Sequence, residues 1–121
     1  MKSLSKITIA FSAILFLSLI PADSKAQLLP TNLKITVIDG LGNVVEDAEV
    51  TLYKTKEDYL NGENALMTEK TNKKGEVKFK KLEPMAYFVD ARTEEMNNDG
   101  GGAEIAPLDE GRINAVNIVI E

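Results

Sequence analysis

Hydrophobic and polar residues alternate with a period of two in several short stretches of this chain. Leu33, Ile35 and Val37 alternate with Lys34, Thr36 and Ile38, and Ala48, Val50 and Leu52 alternate with Glu49, Thr51 and Tyr53. Such alternation puts the two sets of side chains on opposite faces of a pleated backbone, so both stretches predict half-buried strands. Between them, Asp39-Gly40-Leu41-Gly42-Asn43 is dense in residues that tolerate positive φ or bond their own backbone, which predicts a turn. Thr55-Lys56-Glu57-Asp58 has the makings of a capped helical turn that Gly62 would end. Leu66 to Thr71 reads as a weaker strand. Asn72-Lys73-Lys74-Gly75 then turns into a strand from Glu76 to Leu82, with Val77 and Phe79 on one face and Lys78 and Lys80 on the other. Taken together these two strands predict a hairpin. Tyr87, Val89 and Ala91 mark the next strand, with Asp90 facing out. Val116, Ile118 and Ile120 mark the last, from Arg112 to Glu121, where Ile113 and Asn114 fall off the alternation and predict a bulge near Asn114-Ala115.

Short strands at this spacing, with no long helical period, predict an all-β fold. The expected architecture is a single antiparallel Greek-key β-sandwich of about seven strands. Its core should gather Ile35, Val37, Val50, Leu52, Val77, Phe79, Tyr87, Val89, Ile118 and Ile120.

Residues 1–26 follow a different plan. Lys2 and Lys6 precede an apolar run from Ile7 to Ile20, shorter than the roughly 20 residues a membrane-crossing helix needs. Pro21 breaks the run, and Ser24-Lys25-Ala26 places small residues at −3 and −1 of a cut before Gln27. This is the layout of a cleaved signal peptide, which leaves residues 27–121 as one exported domain with no membrane span after cleavage. Such a chain is expected to be secreted, into the periplasm or the extracellular space.

Composition then narrows the chemistry. The 121 residues include no Cys and no His, and Asp+Glu 19 outweigh Lys+Arg 14 for a net charge of −5. Thiol nucleophiles, disulfides, thiolate zinc sites and imidazole-based triads are therefore ruled out. An acidic chain with only Arg92 and Arg112 as arginines does not suit a nucleic-acid surface, which needs clustered positive charge. No cofactor is expected, and no catalytic residue suggests itself.

Two stretches go beyond strand grammar. Val37 to Tyr53 has a strand ending in Asp39, a Gly-containing turn, and then Ala48-x-Val50-x-Leu52. Thr71 to Tyr87 has a Thr-led turn with Gly75, a strand, and then Leu82-x-Pro84-x-x-Tyr87. In that order and at that spacing they resemble a carboxypeptidase regulatory-like domain, over nearly all of the chain after residue 32. Met85 departs from the pattern, because the family usually has Gly after the Pro. The resemblance implies a transthyretin-like (prealbumin-like) sandwich acting as an accessory or structural module, not as an enzyme. Hydrolases related to transthyretin depend on histidines, which this chain lacks. Related adhesin repeats form a Lys–Asn isopeptide bond, but Val37 and Ala91 occupy the positions of the reactive Lys and the assisting carboxylate.

Three features stand as candidate sites. Residues 93–111 are expected to form a long flexible acidic loop, in which Asp99, Asp109 and Glu110 are the calcium candidates. Lys73, Lys74, Lys78, Lys80 and Lys81 form a basic run, read first as a solvated edge. Tyr53, Tyr59 and Phe88 are the rings available to a carbohydrate platform. The leading expectation is a secreted non-enzymatic module with a structural or protein-interaction role at the cell envelope, its partner an envelope or extracellular protein. The alternative is a ligand-binding module for glycan or calcium.

Overall fold

The computed structural model describes residues 29–121, so the expected leader and the cut before Gln27 lie outside the described residues. Strands β1 (Asn32–Asp39) and β2 (Glu49–Tyr53) come first, followed by helix α1 (Lys56–Asn61). Strands β3 (Met67–Lys70), β4 (Glu76–Phe79), β5 (Tyr87–Arg92), β6 (Glu104–Ile105) and β7 (Ile113–Ile120) complete the order. They form two sheets, one ordered β4-β1-β7 and the other β3-β2-β5-β6. The described residues thus form an all-β sandwich with one short helix.

All ten residues expected inward are buried, and Leu33, Ala48, Leu82, Ala91, Ile105 and Leu108 join them in one cluster between the sheets. Pleat alternation explains this agreement, because it fixes which face each side chain takes whatever strand lies alongside. Thr55 caps α1 by accepting the Asp58 amide at 3.1 Å, and Gly62 ends it at φ 64.

Alternation does not choose neighbours, and here three expectations fail. The Leu66–Thr71 and Glu76–Leu82 strands do not form a hairpin: β3 pairs with β2, and β4 with β1. The tight turn exists, held by the Asn72 side chain accepting the Lys74 and Glu76 amides, but it carries the chain from one sheet to the other. Nor is the sandwich wholly antiparallel. β7 runs parallel to β1, from Asn32–Ile113 to Asp39–Ile120 without a break, so there is no bulge near Asn114-Ala115. Asn114 keeps the inward side of the pleat, and its amide serves the end of the sheet by donating to the carbonyls of Asn32, Asp109 and Arg112.

The two motifs that carried the resemblance meet in space. The Thr71 hydroxyl donates to the Val45 carbonyl at 2.6 Å and accepts the Ala48 amide at 2.9 Å. Gly75, at φ 72, accepts the Val37 amide at 2.8 Å, and a Cβ there would lie 2.9 Å from the Val37 carbonyl and from Val44 Cβ. Only glycine combines that backbone conformation with so close an approach. Further on, the Tyr87 hydroxyl donates to the Glu83 carbonyl at 3.0 Å, which ties the Pro84 corner to the strand that follows.

Candidate functional site

The outer face of the larger sheet holds most of the polar chemistry. Outward positions on β2 and β5 bring Thr51, Tyr53, Phe88, Asp90 and Arg92 side by side in the ladder. Helix α1 lies over one end of this face. Tyr59 meets Tyr53 edge-on with ring centroids 6.0 Å apart, and Phe88 at 6.5 Å with the rings tilted. Tyr53, one of the rings available to a platform, is buried, and the half-buried Tyr59 and Phe88 pack with it where the helix meets the sheet. Burial, with the charges of Asp90 and Asp99 adding to it, pushes the Tyr59 hydroxyl above the ordinary tyrosine range.

Arg92 lies at the centre of the polar end. Its guanidinium forks onto Asp90, with Nε donating to Oδ2 at 2.7 Å and Nη2 to Oδ1, and it reaches Asp99 Oδ1 at 3.1 Å. The hydrogen bonds to Asp90 are the main reason its pKa is raised, so the positive charge is fixed in place. Two open clefts share Arg92 and Glu49. One, of about 510 Å³, runs under α1 past Tyr59 and Asp99. The other, of about 610 Å³, is bordered by Glu46, Asp47, Glu94 and Glu95 with Lys70 opposite.

Residues 93–111 differ from the flexible loop expected of them. The Thr93 hydroxyl accepts the Met96 amide at 3.1 Å, and the Thr93 amide donates to the Met96 carbonyl at 2.8 Å. Asn98 is buried with its amide turned into the open edge of β5. Its Oδ1 accepts the Ala91 amide and its Nδ2 donates to the Val89 carbonyl, while its own backbone amide donates to the Ala91 carbonyl. Ala103 accepts from the Val89 amide, and β6 continues the pairing at Tyr87 and Phe88. Backbone groups with partners of this kind hold residues 93–98 and 103–105 against β5.

The calcium candidates are not brought together. Asp99 lies against Arg92 and borders a cleft with Asn117, Val119 and Glu121 at one end of β7. Asp109 faces Arg112 at 3.8 Å at the other end, where its amide donates to Asn114 Oδ1. Glu110 is exposed beside it. Among the described residues no three acidic side chains converge on one point. Both arginines thus take a carboxylate from the acidic segment they bracket. That bracketing is a signal in the sequence that could have pointed to Arg92, whereas no pattern marks Asn98.

The other candidates are surface features. Lys78 faces outward beside Lys34, and Lys34 pairs with Glu76 at 3.5 Å. β4 stops at Phe79 instead of Leu82, because Lys81 takes a positive φ of 57. Val37 and Ala91 are both fully buried, apolar positions within the core.

Small as it is, the molecule defines a class: a two-sheet β-sandwich. No protein-family model matches the chain, and no curated protein sequence matches it significantly. Among solved structures its fold is similar to the Bacillus anthracis TIE protein, at TM-score 0.56 and 20% identity over 77% of this chain and 16% of that one. It is similar too to a streptococcal ancillary pilin, at TM-score 0.59 and 15% identity over 77% of this chain and 32% of that one. The likeness is one of fold, and this chain spans well under half the length of either protein.

Proposed function

We propose that the chain is an exported, non-enzymatic β-sandwich module of the carboxypeptidase regulatory-like kind, serving a structural or protein-interaction role at the cell envelope. The observation that carries this reading is the similarity of the fold to part of two longer proteins, one of them an ancillary pilin. The leader pattern of residues 1–26 supports export, and the contact between the Thr71–Gly75 turn and the Val37–Ala48 segment gives the family-like motifs a physical purpose. The ligand-binding alternative has less support. Asp99 and Asp109 bind arginines at opposite ends of β7, and its rings pack against one another instead of forming a flat platform.

Cell fractionation followed by intact mass tests the reading. The protein is expected in the envelope or the medium, beginning at Gln27, and capture with the tagged domain should recover envelope proteins. Cytoplasmic protein that still carries Met1 to Ala26 would overturn it.

A further inference from the structure

Charge is divided unevenly over the molecule, and the positive share collects around β4. The chain as a whole is acidic, with Asp+Glu 19 against Lys+Arg 14. Yet residues 71–82 carry Lys73, Lys74, Lys78, Lys80 and Lys81 with Glu76 as their one carboxylate, and all five lysines are exposed. Glu76 is engaged by Lys34, which itself lies directly opposite Lys78 in the ladder. Two positive side chains therefore share one row of the outer face, an arrangement that costs the sheet stability. Among the described residues none of the five lysines forms an ion pair, whereas both arginines do. The backbone that displays them is held at both ends of β4. Asn72 Oδ1 accepts the Lys74 and Glu76 amides at 2.9 and 3.0 Å before the strand, and Asn32 Oδ1 accepts the Lys81 amide at 3.0 Å after it. A ligand would have little left to order beyond the side chains themselves. Lys34 and Lys78 also border an open cleft of about 290 Å³.

We propose that this lysine strip docks an acidic polypeptide segment of a partner protein, held extended with carboxylates at alternate positions against Lys78 and Lys80 and with Lys34 beside them. Two observations choose that ligand. Lys78 and Lys80 stand two residues apart on one side of an extended backbone, about 6.6 Å, which is also the spacing of alternate side chains in an extended peptide. In addition, no aromatic ring of the described residues lies on this face to stack on a sugar. Phe79 and Tyr87 are buried in the core, and Tyr53, Tyr59 and Phe88 pack together at the other sheet. The acidic remainder of the domain repels such a segment at long range. At physiological ionic strength, however, exposed charges more than about 8 Å apart are largely screened, so the segment feels the strip and not the whole domain. Exposed ion pairs are weak one by one and favour speed and selectivity over strength, so the contact is salt-sensitive and readily reversed. This narrows the protein-interaction reading above to a partner of one chemistry, and it rests on that reading.

Fluorescence anisotropy of residues 27–121, which contain both sheets whole, with a labelled peptide of alternating Glu and Thr tests it. Binding is expected at low salt and should weaken steadily as salt rises. Lys78→Glu should weaken it by about fivefold or more. Because that change also replaces a like-charged neighbour of Lys34 by an opposite one, the variant should melt no lower than wild type. Lys56→Glu, on α1, alters the net charge equally and should leave the affinity unchanged. A peptide of the same composition with its Glu residues in one block should bind more weakly. No binding of the alternating peptide, an equal loss from Lys56→Glu, or equal affinity for the block peptide would each overturn the proposal. Equal affinity for an oligogalacturonate of the same charge would assign the strip to acidic glycans and overturn it too. Purified protein serves throughout, so a failure here leaves the export reading standing, and a cytoplasmic location would leave these affinities as they are.

Discussion

The Oδ1 atom of Asn98 lies 3.0 Å from the Ala91 amide nitrogen, so a side chain fills a ladder position that a neighbouring strand would otherwise take. The same amide group donates to the Val89 carbonyl at 2.9 Å. Asn98→Ala would leave two backbone groups of β5 without partners in a buried setting, which costs about 1–3 kcal/mol for each group left unsatisfied. Urea unfolding is expected to show that loss, and hydrogen exchange should show faster exchange at Ala91. An unfolding midpoint equal to wild type would mean that water replaces the amide at no cost.

Gly75 and Gly42 both take positive φ, at 72° and 87°, but only Gly75 is crowded. Gly42→Ala should cost about 1–2 kcal/mol, the penalty of the left-handed conformation alone. Gly75→Ala adds a clash with the Val37 carbonyl and Val44, so its midpoint should fall further. Equal losses would show that the two motifs can part without penalty.

Asp39 gives a pH signature. The Asn43 amide does most to hold its carboxyl below the ordinary range. Desolvation opposes this, while the Leu41 amide acts with Asn43 to lower it. Because the folded value lies below the unfolded value of about 3.9, the group's stabilisation is complete above that pH and is lost as pH falls through the folded value. Asp39→Asn removes the titration, so the difference between wild type and variant should shrink as the solution is acidified. A difference independent of pH, followed by urea midpoints, would refute the link.

Calcium should leave the melting temperature unchanged at millimolar concentration, since Asp99 and Asp109 are engaged by different arginines. A true site at 100 times its dissociation constant would add about 2.7 kcal/mol, a shift of several degrees for a domain of this size. A rise seen with calcium, absent with magnesium and abolished by Asp99→Ala, would restore the ligand-binding reading.

Much of this arrangement was legible in the chain. Period-two alternation placed Ile35, Phe79 and Ile118 on inward faces, and Thr55 with Gly62 bounded the helix. Pairing was not legible, because the pleat that sorts faces is indifferent to which strand lies alongside or in which direction it runs. Hence β3 and β4 read as a hairpin although they belong to different sheets. Cover was not legible either: Thr51 and Tyr53 alternate as surface residues and are buried by elements packed over them. Asn98 sits in a polar, glycine-rich run where an asparagine ordinarily marks a turn, and only its tertiary partners reveal its place in the sheet.

The parallel ladder between β1 and β7 has a consequence for the order of events during synthesis. β1 is the middle strand of its sheet, yet one of its two neighbours is the last strand of the chain. A polypeptide that emerges from its N-terminus exposes Leu33, Ile35 and Val37 long before Ile118 and Ile120 exist to cover them. Closing so long a loop is entropically costly, and contacts between distant residues slow the search for the native state. The sandwich therefore cannot complete itself around a nascent chain. Its three-stranded sheet stays incomplete until β7 has been made.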